Sequence, residues 1–329
     1  MSSPFSLGQL VGEVEEFLTT TWRRQPAVFR PETAVEPPLT LAGLDAALTT
    51  GSLPSCYAQV TRGGATVPAE AYSTPRTIHQ TAYPGFVDGA KVRRQLDEGG
   101  TLLLRCVEQW HAGTAALTAA VGRELGRKVE AFFFVTPQGR QGLDIHRDDA
   151  DVLVLQVNGS KQWHVHAGPA DGDWQPGPIA DGGPELLSLQ LQPGEVLYIP
   201  RGFAHYATGQ DGLSAHLSLT IRETGGAHLY KALQRVLAKG LRLTPRPLDD
   251  EALTEQARLL LDHMADRLAA TTPEQVVAAA RAALLAEAHR STSPELTALA
   301  ATLAATDTTD AQPAGPGAPG PAVPAVPVS

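Results

Sequence analysis

A long central stretch, residues 129–222, has the pattern of an all-β fold. Short apolar runs rich in β-branched and aromatic residues alternate there with glycine and proline, without helical periodicity between them. The runs lie at 131–136, 152–157, 162–166, 186–191, 196–199 and 215–221. Strands this short, joined by turn residues, predict an antiparallel sandwich or barrel. Asn158-Gly159, between the second and third runs, is typical of a hairpin turn and predicts that these two runs pair.

Helical periodicity is confined to the flanks of this stretch. It predicts helices at 8–18, 40–48, 115–125, 228–241 and 251–269, and two more that open at Thr272-Pro273 and Ser293-Pro294. The last residues are mostly Pro, Ala, Gly, Val and Thr, a composition that cannot form a core and predicts disorder. We therefore divide the chain into an N-terminal helical and β segment (1–128), a β core (129–225), a helical region (226–304) and a tail (305–329).

Composition limits the partners and the compartment. The net charge of −9 shows no basic excess, so we expect neither a nucleic-acid nor a membrane partner. The two cysteines, Cys56 and Cys106, lack any metal-binding spacing, and so few cysteines are typical of reduced thiols in the cytoplasm. The first residues lack the basic and apolar regions of a signal peptide, and the chain has no membrane-length apolar run. We expect a cytoplasmic protein.

Two elements of the β core carry candidate metal ligands. His146 and Asp148 are two residues apart, and strand alternation places their side chains on one face. The stretch from Gly194 to His205 reads Gly-x5-Pro-x-Gly-x2-His, a strand that delivers a histidine after a tight turn. Two imidazoles and one carboxylate are the ligand set of a mononuclear non-haem Fe(II) site, which leaves positions open for small molecules. A His-x-Asp pair alone is common on surface strands; its combination with the second element favours a metal site.

Several motifs in this stretch occur in a known family. They are Thr-Pro-Gln-Gly-Arg-Gln-Gly at 136–142, His-Arg-Asp-Asp-Ala-Asp-Val at 146–152, Leu-Gln-Val-Asn-Gly-Ser-Lys-Gln-Trp at 155–163, Leu-Tyr-Ile-Pro-Arg-Gly-Phe-Ala-His at 197–205 and Ser-Ala-His-Leu-Ser at 214–218. With these motifs the chain resembles the JmjC-type, cupin-like oxygenases that depend on Fe(II) and 2-oxoglutarate, and particularly their ribosomal oxygenase branch. The resemblance covers about the first two-thirds of the chain. It implies a double-stranded β-helix, or cupin-like jelly roll, with flanking helices and a helical C-terminal region.

The resemblance also implies the roles of four residues. His146, Asp148 and His205 would hold the catalytic Fe(II). The basic residue fifteen positions after the first histidine, Lys161, would bind the distal carboxylate of the cosubstrate 2-oxoglutarate. The implied activity is that of a dioxygenase: O2 and 2-oxoglutarate are consumed, succinate and CO2 are released, and a substrate C–H bond is hydroxylated.

The substrate and the assembly follow only as expectations. The resemblance implies hydroxylation of an Arg or His side chain in a polypeptide. One alternative is the same chemistry on a small molecule or a biosynthetic peptide. Another is a non-catalytic, metal-binding cupin-like module, against which Lys161 argues because such a module needs no cosubstrate lysine. In the family a helical dimerisation region follows the catalytic domain, so residues 226–304 are expected to support a homodimer.

The chain departs from the family at two positions. Phe134 stands where some relatives carry a Tyr whose hydroxyl helps to hold the cosubstrate, and Arg147 stands where Tyr is frequent. Arg147 is expected either to pair with an acidic substrate group or to be solvated. His216 is expected either to support the metal and cosubstrate or to be a hydrogen-bonded core histidine. His164 and His166 are expected to form one polar face of a strand.

Overall fold

The computed structural model of this chain describes residues 5–33, 35–289 and 294–307. Internal contacts divide the chain into a unit of residues 1–290 and a unit of residues 291–329. The described part of the second unit contains one helix, Leu296–Asp307. Beyond that helix, the predicted tail lies outside the described residues. Among the described helices, none is both long enough and apolar enough to cross a membrane.

The strands of the described residues form one large sheet and one separate hairpin. In chain order they are β1 (Ala27–Phe29), β2 (Ala58–Arg62), β3 (Ala65–Thr66), β4 (Ser73–Ile78), β5 (Thr81–Val87), β6 (Thr101–Leu104), β7 (Val129–Pro137), β8 (His146–Arg147), β9 (Asp151–His166), β10 (Gly177–Pro178), β11 (Glu185–Leu191), β12 (Val196–Ile199) and β13 (Ala204–Ile221). The separate hairpin is β4 with β5. Every pairing among these strands is antiparallel, as the sequence predicts for the core.

Two long strands, β9 and β13, link two layers of the large sheet. They pair with each other over most of their length, but each has different neighbours in its two halves. The first half of β9 pairs with β12 and the second half with β11, whereas β13 pairs first with β8 and then with β7. One layer therefore has the order β1-β12-β9-β13-β7-β6-β2-β3 and the other β11-β9-β13-β8-β10. This is the predicted double-stranded β-helix, and the expected all-β core is confirmed.

The hairpin predicted at Asn158-Gly159 is wrong. Both residues lie inside β9, and the chain on either side of them stays paired with β13: Asn158 lies opposite Ala215, and Lys161 opposite Gly209. Gly159 has a φ of +54°, a left-handed conformation that bends the strand without reversing it. The dipeptide thus carries β9 from one layer into the other. The register between β9 and β13 shifts twice here, between residues 210 and 215 of β13 and again between residues 215 and 216.

The helices lie on the flanks, as predicted. They are α1 (Gly8–Val11), α2 (Val14–Glu16), α3 (Leu41–Thr49), α4 (Gly89–Asp97), α5 (Ala112–Leu125), α6 (Gly226–Ala238), α7 (Asp250–Ala269), α8 (Pro273–Ala286) and α9 (Leu296–Asp307). The helix predicted at 8–18 is broken after α1, because Gly12 takes a φ of +75°. The helix predicted to open at Thr272-Pro273 is α8, and a capping box stabilises its start: the Thr272 hydroxyl accepts from the Gln275 amide, and the Gln275 side chain accepts from the Thr272 amide.

Two apolar clusters fill the core. The larger one packs one face of the larger layer against the N-terminal helices and strands, around Phe17, Phe133 and Leu217. The smaller one lies between the two layers, around Val154, Trp163 and Leu197. The rest of the space between the layers is a cavity of about 210 Å³. The fold therefore leaves an internal chamber lined by strand residues of both layers.

Candidate metal centre and cosubstrate pocket

The three predicted metal ligands meet at one end of this cavity. His146 lies on β8, Asp148 just after it, and His205 at the start of β13, where it pairs with His146. The Nε2 atoms of His146 and His205 are each 3.7 Å from a carboxylate oxygen of Asp148. One candidate ligand atom from each residue lies within 4.8 Å of the others. Donor atoms this close together can coordinate a single ion.

The hydrogen bonds of the two histidines prepare them for metal binding. His146 Nδ1 donates to the Asp144 carbonyl oxygen (2.7 Å), and His205 Nδ1 donates to the Phe203 carbonyl oxygen (3.0 Å). Because a carbonyl can only accept, each Nδ1 carries the hydrogen and each Nε2 presents a lone pair. Burial, with His146 beside it, lowers the pKa of His205 to about 4, so this imidazole is neutral at pH 7. The residues present therefore fit a divalent metal ion.

Arg147, between the first two ligands, has a role that neither expectation named. Its guanidinium donates to the carbonyl oxygens of Ala167 (2.9 Å) and Gly202. These hydrogen bonds link β8, the short strand that carries His146, to the end of β9 and to the turn before His205. The side chain is half-buried, and these two carbonyls engage it within the protein. Arg147 therefore positions β8 and the metal-ligand candidate His146 on it.

Lys161 lies deeper in the same cavity. Its side chain is only 2% exposed, and Nζ donates to Thr136 Oγ1 (3.2 Å). The rings of Phe134 and Trp163 flank the ammonium at 5.8 and 5.7 Å. Burial lowers the pKa of Lys161 to about 7. No carboxylate forms an ion pair with Lys161 among the described residues, so the pocket fits an anion such as the distal carboxylate of 2-oxoglutarate.

His216 also lines the cavity and is 2% exposed. Its ring stacks on Phe134 at 4.8 Å and meets the edge of Trp163 at 5.4 Å. Burial and the neighbouring Lys161 hold the pKa of His216 well below its usual range. Its Nδ1 is buried and has no hydrogen-bond partner among the described residues, so the expectation of a satisfied core histidine is not met. The imidazole is instead part of the cavity wall, beside Lys161.

His164 and His166 do not join the candidate metal cluster of the described residues. His164 Nδ1 lies 2.7 Å from a carboxylate oxygen of Glu185, and its ring stacks on Tyr206. Because side chains alternate along a strand, His164 and His166 lie on the opposite face of β9 from Lys161 and Trp163.

One residue of the pocket, Thr136, had no assigned role in the sequence analysis. It is fully buried on β7 and contacts Lys161 on β9 and Thr101 on β6 through its hydroxyl. Residues 132, 134 and 136 lie on the same face of β7, because side chains alternate along a strand. Since Phe132 and Phe134 line the cavity, this alternation could have identified Thr136 as a neighbour of the cavity.

The fold and the site together define a class: a cupin-like double-stranded β-helix with a His-x-Asp…His cluster at one end and a buried lysine within. Residues 109–229, the central part of the chain, match the JmjC domain family. The predicted resemblance to the ribosomal oxygenase branch is confirmed by relatives that carry this name.

Ribosomal oxygenase 1 of Rattus norvegicus is 33% identical over 145 residues, which is 41% of this chain and 24% of that protein. The bifunctional lysine-specific demethylase and histidyl-hydroxylase NO66 of Drosophila persimilis is 32% identical over 131 residues, 36% of this chain and 19% of that protein. The chain thus matches about a quarter or less of the length of these relatives.

A solved structure shares the fold. The ribosomal oxygenase YcfD of Escherichia coli, in complex with cobalt and 2-oxoglutarate, superposes with a TM-score of 0.56 at 20% identity. The match covers 87% of this chain and 75% of that one.

Proposed function

We propose that this protein is an Fe(II)- and 2-oxoglutarate-dependent oxygenase that hydroxylates an Arg or His side chain of a polypeptide. The observation that carries the proposal is the presence, in one cavity, of the three-ligand cluster and the buried, ion-pair-free ammonium of Lys161. A site that bound only metal would gain nothing from burying a lysine without a counter-charge. The names of the relatives, ribosomal oxygenase and histidyl-hydroxylase, support a polypeptide substrate.

Six residues of the cavity have a part in this function. His146, Asp148 and His205 would hold the metal, with the Nε2 lone pairs already fixed by the two backbone carbonyls. Lys161 would neutralise the distal carboxylate of 2-oxoglutarate. When bound, Fe(II) with 2-oxoglutarate and O2 supplies the oxidising chemistry, in which succinate and CO2 form as one oxygen atom enters the substrate. The apolar walls, including Phe134 and Trp163, exclude water from the reacting groups.

Succinate production tests the activity. Anaerobically purified protein is supplied with Fe(II), 2-oxoglutarate, O2 and a degenerate peptide library, and succinate and peptide masses are measured. We expect succinate together with peptides heavier by one oxygen atom. If folded protein that retains iron forms no succinate, with or without peptides, the oxygenase proposal fails and the metal-binding module replaces it.

The metal ligands are tested by retention of iron. Asp148→Ala and His205→Ala should each lose most bound Fe(II) after gel filtration, because two remaining ligands hold a divalent ion much more weakly. His164→Ala is the matched control, since this histidine lies outside the cluster. Iron contents equal to that of the control in both ligand variants would contradict the assignment.

We also propose that residues 129–225 are the catalytic core and that residues 226–304 support a homodimer. Helix α7 leaves Leu253, Leu261 and Leu268 more than half exposed, and their spacing places them on one side of the helix. An apolar stripe of this kind fits a second copy of the chain. Light scattering should give twice the monomer mass, and Leu261→Lys should shift it towards the monomer. A monomeric wild type would refute the dimer.

For the compartment, we propose the cytoplasm. Both cysteines are free thiols, which supports a reducing environment.

A further inference from the structure

We propose that Arg23 is a positioning residue for the metal centre, because it holds the carboxylate of Asp151 that fixes the turn before His205. This role rests on the proposed metal function of the three ligand candidates. It assigns a part in the site to a residue that lies outside the stretch matching the JmjC family, residues 109–229.

Asp151 connects the two chain segments that carry the ligand candidates. It begins β9, three residues after Asp148, and it is 0% exposed. Its Oδ1 atom accepts from the Arg201 backbone amide (3.1 Å) and from the Tyr198 hydroxyl (2.7 Å). Arg201 lies in the turn of residues 200–203, which leads directly to His205. One buried carboxylate therefore fixes the turn that presents the histidine relative to the segment that presents the aspartate.

Two further contacts join the same segments. The Gly202 amide donates to the Asp148 carbonyl oxygen (3.0 Å), and the Arg201 guanidinium pairs with Asp149 (2.6 Å). The pair with Asp149 is partly exposed, so water competes for it, whereas the hydrogen bonds of Asp151 are shielded from water. A displacement of Asp151 would therefore move the Arg201 amide and the turn that contains it.

Arg23 supplies the counter-charge for Asp151. Its Nε donates to Asp151 Oδ2 (3.0 Å), and its Nη1 lies 3.1 Å from Glu223 Oε2. Its backbone amide donates to the Tyr198 hydroxyl (2.9 Å), and the ring of the preceding Trp22 stacks on the Tyr198 ring. Arg23 has a φ of +60°, a left-handed conformation that a side-chain-bearing residue keeps only where its surroundings impose it. These contacts fix the guanidinium beside the carboxylate.

Loss of the Arg23 guanidinium would leave the charge of Asp151 buried without its ion pair. A buried, unpaired carboxylate is costly, so the start of β9 would shift to rehydrate it. That shift would displace the turn before His205 and separate donor atoms that now lie within 4.8 Å of one another. Residues that orient metal ligands from outside the coordination sphere typically contribute about tenfold to a hundredfold to metal affinity.

The test compares Arg23→Gln with Arg281→Gln in the full chain. Both variants lose an ion pair with Glu223, but of the two arginines Arg23 alone also pairs with Asp151. Calorimetric titration with Mn(II) measures the affinity, and the visible absorption of the Co(II)-saturated protein reports the geometry of the ligands. Arg23→Gln should bind Mn(II) at least about tenfold more weakly than wild type and shift the Co(II) absorption. Arg281→Gln should stay within about twofold of wild type and leave the absorption unchanged.

Asp151→Asn breaks the same contact from the other side. The amide keeps one oxygen for Arg201 and Tyr198, but it presents an NH2 group to Arg23, which cannot accept a hydrogen bond. Its Mn(II) affinity should fall to a similar degree. The double variant of Arg23→Gln and Asp151→Asn should lose at most about twofold beyond the weaker-binding single variant, because both changes remove one contact.

The outcomes separate this role from the proposed function. A wild-type Mn(II) affinity and Co(II) spectrum in Arg23→Gln would overturn it, and so would equal losses in Arg23→Gln and Arg281→Gln, which would trace the effect to Glu223. If circular dichroism shows that Arg23→Gln does not fold, Asp151→Asn decides: weaker Mn(II) binding with a shifted Co(II) spectrum supports the role, and wild-type values overturn it. If the wild type binds no Mn(II), or Asp148→Ala binds it equally well, the metal centre itself fails, and this role with it.

Discussion

At the scale of single residues, the proposed role of Lys161 predicts that binding of 2-oxoglutarate depends on pH. Burial lowers the pKa of Lys161 to about 7, so the free protein loses this charge as the pH rises above neutrality. The carboxylates of 2-oxoglutarate stay ionised over the same range, and only the ammonium form can pair with them. The dissociation constant of 2-oxoglutarate should therefore rise from pH 6 to pH 8.5, approaching tenfold per pH unit at the upper end.

Calorimetry on the Mn(II)-loaded protein measures this profile. Lys161→Arg keeps a charge at every pH in the range, so its profile should be flat even if its affinity is lower. Oxalate, which does not reach the lysine, gives a second control in the wild type. A profile for 2-oxoglutarate that parallels that of oxalate would show that Lys161 does not carry the pH dependence.

The residues of the site differ in how far the sequence could reveal them. His146, Asp148 and His205 follow from spacing alone, because strand alternation and a Pro-Gly turn fix where such side chains point. Lys161 needed the family resemblance, since a lysine at such a position is otherwise expected in solvent. The role of Thr136 depends on three strands meeting, with Thr101 on β6 and Lys161 on β9. The contact of these three residues could not be predicted from any local sequence pattern.

At the scale of elements, the bend of β9 at Gly159 allows this strand to contribute to both layers of the sheet. A Cβ atom at this position would lie 2.7 Å from the Leu213 carbonyl oxygen and 3.0 Å from that of Asp211, and the φ is +54°. Gly159→Ala should therefore lower the free energy of unfolding by about 2–3 kcal/mol, through left-handed strain and backbone collision together. Urea unfolding measures the loss.

Gly139→Ala is the matched control for this prediction. Gly139 has a φ of +72° but no atom within 4 Å of the added methyl group, so it should show only the conformational cost of about 1 kcal/mol. Equal losses of unfolding free energy at the two positions would mean that the carbonyl groups of residues 211 and 213 move aside at little cost. The bend would then not depend on the close approach of β9 to β13.

The failed hairpin prediction has its cause in the same element. An Asn-Gly dipeptide between two apolar runs carries the same local signal whether the chain reverses or only bends. What distinguishes the two cases is the partner: each half of β9 pairs with a different strand, β12 or β11, and with β13 throughout. These pairings join residues far apart in the sequence. The positions of the strands could therefore be predicted from the local pattern, but their pairing partners could not.

At the scale of the whole molecule, residues before 129 are joined to the β core by strands and by charge. Strand β1 pairs with β12 and β6 pairs with β7, so both extend the larger layer. Glu223, just after β13, accepts from Arg23 near the N terminus, Arg127 before β7 and Arg281 on α8, at 2.9–3.1 Å. One buried carboxylate thus links three distant parts of the chain.

Replacing Glu223 tests whether this link stabilises the fold. Burial alone would raise the pKa of Glu223, but the Thr224 amide and the three arginines outweigh it and lower the pKa to about 2. Glu223→Gln should lower the free energy of unfolding by about 2 kcal/mol at pH 7, since the partly exposed arginines can rehydrate in part.

The pH dependence of that loss identifies its source. A carboxylate with a lowered folded-state pKa stabilises the fold above its unfolded value, near 4.5, and this contribution is lost as the pH falls towards 2. Urea unfolding of wild type and Glu223→Gln should therefore converge over that window. Glu98→Gln, which breaks an exposed pair with Arg62, should cost under about 0.5 kcal/mol at pH 7. A Glu223 variant no less stable than this control would show that the Glu223 cluster does not contribute to joining the N-terminal segment to the core.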